Sequence, residues 1–187
     1  MGRFVYSMLV SLDGFVETPD HKLDWAVIDE EFHRFVNAQA REHEALVNGR
    51  RLYGVMRWWE TIREEQPDLP DYEAEFAEIW NAKPKIVFSS TLESVGPGAR
   101  LIQTDVAGRE LARLKEETAG DLDIGGPMLA ATAIREGLVD EYRVFVQPVS
   151  IGAGTPFFPR DVHLDLELID THRFSSGVLY LAYRPRR

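Results

Sequence analysis

Cysteine is absent from the 187-residue chain. That excludes a disulfide framework, a thiolate-held zinc ion, an iron–sulfur cluster and a cysteine nucleophile. Long apolar runs are absent too. The N-terminal run Phe4 to Val10 is short and interrupted by Ser7, and no segment approaches the ~20 apolar residues of a membrane-spanning helix. No small-residue cleavage site follows it, so a cytoplasmic protein without a membrane partner is expected. Positive charge is scarce, with 21 Lys and Arg against 31 Asp and Glu and a net charge of −10. Such a chain repels phosphate backbones, so no nucleic-acid partner is expected, and an anionic ligand needs a local positive site. The histidines at 21, 33, 43, 163 and 172 lack metal-ligating spacing, and there is no Gly-x-Ser-x-Gly elbow. Neither a metal site nor a serine hydrolase of that type is indicated.

The residues that are present alternate between strand and helix signals. Apolar, β-rich segments at 3–10, 45–47, 85–88, 100–102, 122–124 and 141–149 read as strands. Between them, helical spacing brings together Phe32, Phe35 and Val36, then Tyr72, Phe76, Ile79 and Trp80, then Ala107, Leu111 and Leu114. A helix is expected from near Arg50. Asp71 and Asp105 are read as helix caps, and Gly137 as a helix stop. Segments 164–169 and 178–183 alternate around Ser175-Ser176-Gly177 and read as a terminal antiparallel hairpin. With no linker or repeat, residues 1–187 are expected to form one α/β domain, mostly parallel with an antiparallel edge.

Ligands of such sheets sit beyond the carboxyl ends of the strands, so the segments just after strands are the places to look. Gly125-Gly126-Pro127-Met128 joins a strand to a helix. It suits a phosphate, since glycine permits close approach and the helix start offers free N–H groups, and it equally suits a plain tight turn. Asn48-Gly49-Arg50-Arg51 places two cations at a helix start, which opposes the helix dipole unless an anion neutralises them. Ser89-Ser90-Thr91 offers three hydroxyls, either to a ligand or to its own turn. Gly152-Ala153-Gly154 lacks the third glycine and the helix of a dinucleotide fingerprint. Asp13, Asp24, Asp29, Glu30 and Glu31 cluster near the exit of the first strand and the following helix, where one could donate a proton or only balance a dipole. Trp25 lies in a polar loop and could flank a ligand.

Taken in order, these segments resemble the bacterial dihydrofolate-reductase-like family that includes the reductase domain of riboflavin biosynthesis. The resemblance is carried by Asp123-Ile124-Gly125-Gly126, by Gly137-Leu138-Val139-Asp140-Glu141, and by Gln147-Pro148-Val149-Ser150-Ile151-Gly152-Ala153-Gly154-Thr155-Pro156-Phe157-Phe158. Ser11-Leu12-Asp13-Gly14, Asn48-Gly49-Arg50 with Tyr53, and Lys85 to Leu92 add to it, so it spans the chain.

The resemblance implies a three-layer α/β/α dihydrofolate-reductase-like fold, NADPH as cofactor, and hydride transfer to a C=N or C=O group of a pteridine- or pyrimidine-type small molecule. The riboflavin-pathway reductase itself and a non-catalytic nucleotide-binding homodimer are the alternatives. By position, Gly125, Gly126, Pro127 and Met128 are expected to receive the pyrophosphate. Gly49, Arg50 and Arg51 form a second phosphate site, and Ser89, Ser90 and Thr91 meet the adenosine ribose and its 2′-phosphate. Asp29 is the nearest candidate for the proton donor, with Glu30 and Glu31 competing for the role, and Asp13 and Trp25 are expected to flank the substrate. Two departures stand out. Ser90 replaces an arginine common in the family, and Leu52 stands where a threonine is expected. A homodimer is expected, with the strand at 141–149 and Phe157-Phe158 as one available surface.

Overall fold

The N-terminal apolar run becomes the middle of a sheet, with parallel neighbours on both sides. The computed structural model describes residues 1–186. Its elements are β1 (Phe4–Val10), β2 (Phe15–Glu17), α1 (Glu30–Glu42), β3 (Ala45–Gly49), α2 (Arg50–Met56), α3 (Trp58–Glu65), α4 (Asp71–Ala82), β4 (Lys85–Phe88), β5 (Ala99–Ile102), α5 (Ala107–Glu117), β6 (Leu122–Gly125), α6 (Pro127–Arg135), β7 (Val139–Val146), β8 (Thr155–Pro156), β9 (Leu166–Arg173) and β10 (Leu179–Pro185). Eight strands form one sheet in the order β5-β4-β3-β6-β1-β7-β10-β9. Strands β5 to β7 in that order run parallel, and β10 and β9 complete the sheet antiparallel. The parallel strands therefore all deliver their carboxyl ends to one rim.

Because successive strand residues face opposite sides, the sheet has two cores. Phe4, Tyr6, Val47, Phe88 and Ile124 point towards α5 and α6, meeting Leu111, Leu129 and Ala133. Leu46 and Val87 face the other way, towards Tyr53, Phe76 and Trp80, and Phe145 and Tyr180 pack with Phe32 of α1 on that side. The three layers expected from the resemblance are present.

Several local expectations need correction. Strands β2 and β8 were not foreseen; they pair only with each other. The helix from Arg50 is two helices, broken at Arg57. Asp71 is inside its helix, and Pro70 is the cap. Asp105 lies in a short 3₁₀ turn, Thr104–Val106, ahead of α5, whose cap Val106 makes no side-chain bond. The proposed dimer surface is interior: β7 is paired on both edges, and Phe157 is buried and stacked on Tyr6 with ring centroids 4.2 Å apart. No helix among the described residues is long and apolar enough to cross a membrane.

Candidate functional site

A cleft of about 720 Å³ opens on the rim where β1, β3, β4 and β6 end. That volume lies within the range of small-molecule sites, roughly 300–1,000 Å³. Its floor comes from two strand-to-helix junctions held side by side by the register, in which Asn48 of β3 pairs with Gly125 of β6. Gly126 has φ 93, a left-handed backbone, and a β-carbon there would lie 3.6 Å from the Gly49 amide nitrogen. Pro127 then takes the first position of α6. The amides of Met128 and Leu129 have no carbonyl ahead of them in the helix, as in any first turn, and both residues line the cleft.

Gly49, Arg50, Arg51, Ser89, Ser90, Thr91, Gly126, Pro127 and Met128 all border this one cleft. Their situations differ. Arg50 is exposed and has no ion pair among the described residues. Arg51 is engaged, with Nη2 2.7 Å from Glu17 Oε1. Ser89 is buried, and its hydroxyl accepts from the amides of Thr91 at 3.1 Å and Leu92 at 2.9 Å. That is a turn-forming role, which leaves Ser90 and Thr91 as the exposed hydroxyls. Gly125 lies behind the surface, covered by Leu52; a β-carbon on it would be 2.3 Å from Leu52 Cδ2.

The three residues expected beside the substrate have other local partners. Asp29 caps α1, and its Oδ1 accepts from the Phe32 amide at 2.9 Å. Asp13 accepts from the Gly152 amide at 2.7 Å, the Ser150 hydroxyl at 2.9 Å and the Ile151 amide at 3.2 Å. The Ser11 hydroxyl and these donors hold its carboxyl far below the usual range. Trp25 donates Nε1–H to the Lys22 carbonyl at 3.2 Å. None of the three borders the cleft. Glu17 and His21 do border it, with Val16 and Leu23 adding apolar wall. Sequence reading missed them because a three-residue strand has no detectable period. His21 did carry a weak signal, as a histidine in a turn beside Pro19 and Asp20.

The chain that builds this rim matches the family model of the RibD C-terminal domain over residues 4–180. The chain belongs to the RibD C-terminal domain family. Among relatives, the uncharacterized protein YyaP of Bacillus subtilis (strain 168) is 32% identical over 186 residues, covering 97% of this chain and 94% of YyaP. The uncharacterized protein YwjB of the same organism is 27% identical over 181 residues, covering 94% of each. Among solved structures, a putative riboflavin biosynthesis protein from Shewanella sp. PV-4 aligns over 100% of both chains with a TM-score of 0.67 at 22% identity. Dihydrofolate reductase from Enterococcus faecalis, solved with NADP(H), aligns over 99% of this chain and 97% of that one with a TM-score of 0.64 at 17% identity. These likenesses show that this RibD C-terminal domain protein shares the dihydrofolate-reductase-like fold.

Proposed function

We propose that this protein is an NADPH-dependent reductase that delivers hydride to a C=N or C=O carbon of a pteridine- or pyrimidine-type molecule. One observation carries the reading: Arg50, Ser90, Thr91, Gly126 and the first turn of α6 converge on a single cleft at the carboxyl rim of the sheet. In a chain of net charge −10, this is the place where an unpaired arginine and free helix N–H groups together face a cavity. The residues fit a dinucleotide. Gly126 and Gly49 let its phosphates approach backbone, and Ser90 and Thr91 present hydroxyls three strands away from β1. Met8, Leu52, Val55 and Phe88 supply the apolar surface such ligands need.

The bound dinucleotide supplies the hydride; the chain orients it and keeps water away from the reacting face. The proposal favours a small stand-alone reductase over the riboflavin-pathway enzyme. Glu17 pairs with Arg51, which leaves Arg50 as the cleft's unpaired cation, and the proposal assigns that cation to the dinucleotide and not to a phosphoribosyl group. Titration with NADPH, followed by tryptophan fluorescence, is expected to give submillimolar binding. Dihydrofolate, dihydropterins and the riboflavin-pathway intermediate then serve as acceptors, with NADPH oxidation as the readout. A protein that binds neither NADPH nor NADH at submillimolar concentration is not this reductase.

A further inference from the structure

Strand β7 buries two charges beneath α1. Alternate residues of a strand point the same way, so Glu141 and Arg143 share the face of Phe145, which packs against Phe32 of α1. Both charged side chains are 9% exposed, and Arg143 Nε lies 2.6 Å from Glu141 Oε1. A buried pair of this kind seldom repays its desolvation, so its presence calls for a use. The cleft makes no use of it. Neither residue borders the cleft, which lies across the sheet.

Space is left above the pair. Arg143 stands in register between Ser7 of β1 and Ala182 of β10, both small. Opposite, α1 presents Phe35, Ala38, Gln39 and Glu42, one helix face with an alanine in its middle. A cavity of about 270 Å³ results. At ~30 Å³ per water-sized group it holds roughly nine heavy atoms, which suits a free amino acid and is too small for a dinucleotide. Arg143 lines this cavity, and its Nη1 is buried without a hydrogen-bond partner. Asp123 of β6 is near enough to feel the charge of Arg143, yet its Oδ1 is buried without a partner too. A guanidinium only donates, so the floor lacks an acceptor. Glu42 and Asp170, both exposed, place two carboxylates at the mouth. Phe35 and Ile169 add apolar wall.

We propose that this cavity binds a free α-amino acid with an apolar side chain, its carboxylate on Arg143, its ammonium between Glu42 and Asp170, and its side chain against Phe35 and Ile169. A guanidinium engaged through Nε still offers the edge between its terminal nitrogens, and that edge matches a carboxylate. The carboxylate gives the buried donor the acceptor that the protein withholds. A plain anion is disfavoured, because it would sit against two like charges at the mouth. A plain amine is disfavoured as well, because an ammonium has nothing to offer a donor. A zwitterion meets both ends. The site shares no residue with the cleft and does not rest on the dinucleotide reading.

Calorimetric titration of the native protein with L-leucine, L-isoleucine, L-valine and L-methionine tests the site. At least one is expected to bind at millimolar concentration or below. Its amide, which lacks the carboxylate, and its N-acetyl derivative, which lacks the ammonium, are each expected to bind at least about tenfold more weakly. Ala38→Phe fills the cavity from an exposed helix position. It is expected to abolish binding while the unfolding temperature holds. Glu42→Gln, also at an exposed position, is expected to weaken binding of the amino acid several-fold. Absence of binding by all four amino acids overturns the proposal. So does binding that Ala38→Phe and Glu42→Gln leave intact, or an N-acetyl derivative that binds as well as the free amino acid.

Discussion

Gly154 and Glu17 approach so closely that a β-carbon on Gly154 would sit 1.9 Å from the Glu17 carbonyl oxygen. The clash is with backbone, so no side-chain rotation relieves it. Strand β2 cannot keep its place against β8 if residue 154 has a side chain. Gly154→Ala is expected to cost about 2 kcal/mol and to displace Glu17 from the cleft. Gly152→Ala is the comparison. It has φ 78 but nothing within 4 Å of the added carbon, so only the backbone penalty of about 1 kcal/mol remains. Thermal unfolding of the two variants should separate them in that order, with NADPH affinity falling only for Gly154→Ala.

The two arginines at the start of α2 should respond differently to charge removal. Arg50→Gln breaks no ion pair among the described residues and should leave the unfolding temperature unchanged. The NADPH dissociation constant is expected to rise about tenfold, or 1.4 kcal/mol, with a smaller change for NADH. Arg51→Gln frees Glu17 and should also weaken NADPH more than NADH. Fluorescence titration with both dinucleotides checks this, and an Arg50→Gln protein with native NADPH affinity contradicts it.

Gly125 is covered by Leu52 Cδ2, the far end of a flexible side chain. In Gly125→Ala that end can swing away, and the space available to it is the cleft. Stability should fall by about 1 kcal/mol or less, while NADPH binding falls by more than that. Adding Leu52→Ala should restore binding, a coupling that a double-mutant cycle would measure. If the second change restores nothing, Leu52 is not the obstruction.

Asp13 ties the exit of β1 to the turn at 150–152, and its folded-state carboxyl is held below its ordinary value of 3.8. The unfolded chain therefore binds a proton here more readily than the folded one. The stabilisation is fully present above pH 3.8 and is lost as pH falls from there towards the lower folded value. Asp13→Asn should be less stable than native protein at pH 7, and the gap should narrow as pH is lowered below 3.8. Denaturant unfolding at a series of pH values tests it, and a gap that is constant with pH refutes it.

Much of the cleft was legible because its parts are local. Gly126 carries a left-handed backbone at the start of a helix with proline in its first turn, and each of these is a property of a few adjacent residues. The substrate end was not legible. Asp29 had the composition of a catalytic carboxylate, yet its distance to the Phe32 amide decides that it caps a helix. Glu17 meets its Thr155 partner only because strand β8, 138 residues later, pairs with β2.

By itself the chain's order of residues determined the alternation of strands and helices, the glycine turns at the rim and, through the lack of cysteine, the exclusion of metal-thiolate chemistry. These follow from backbone conformation and hydrophobic period, which neighbouring residues set. Only the tertiary structure decided which acid and which histidine meet Arg51, and that the phenylalanines at 157 and 158 serve packing against Tyr6 and Tyr142. Those outcomes depend on distances between segments far apart in sequence, and such distances exist only once the sheet has assembled.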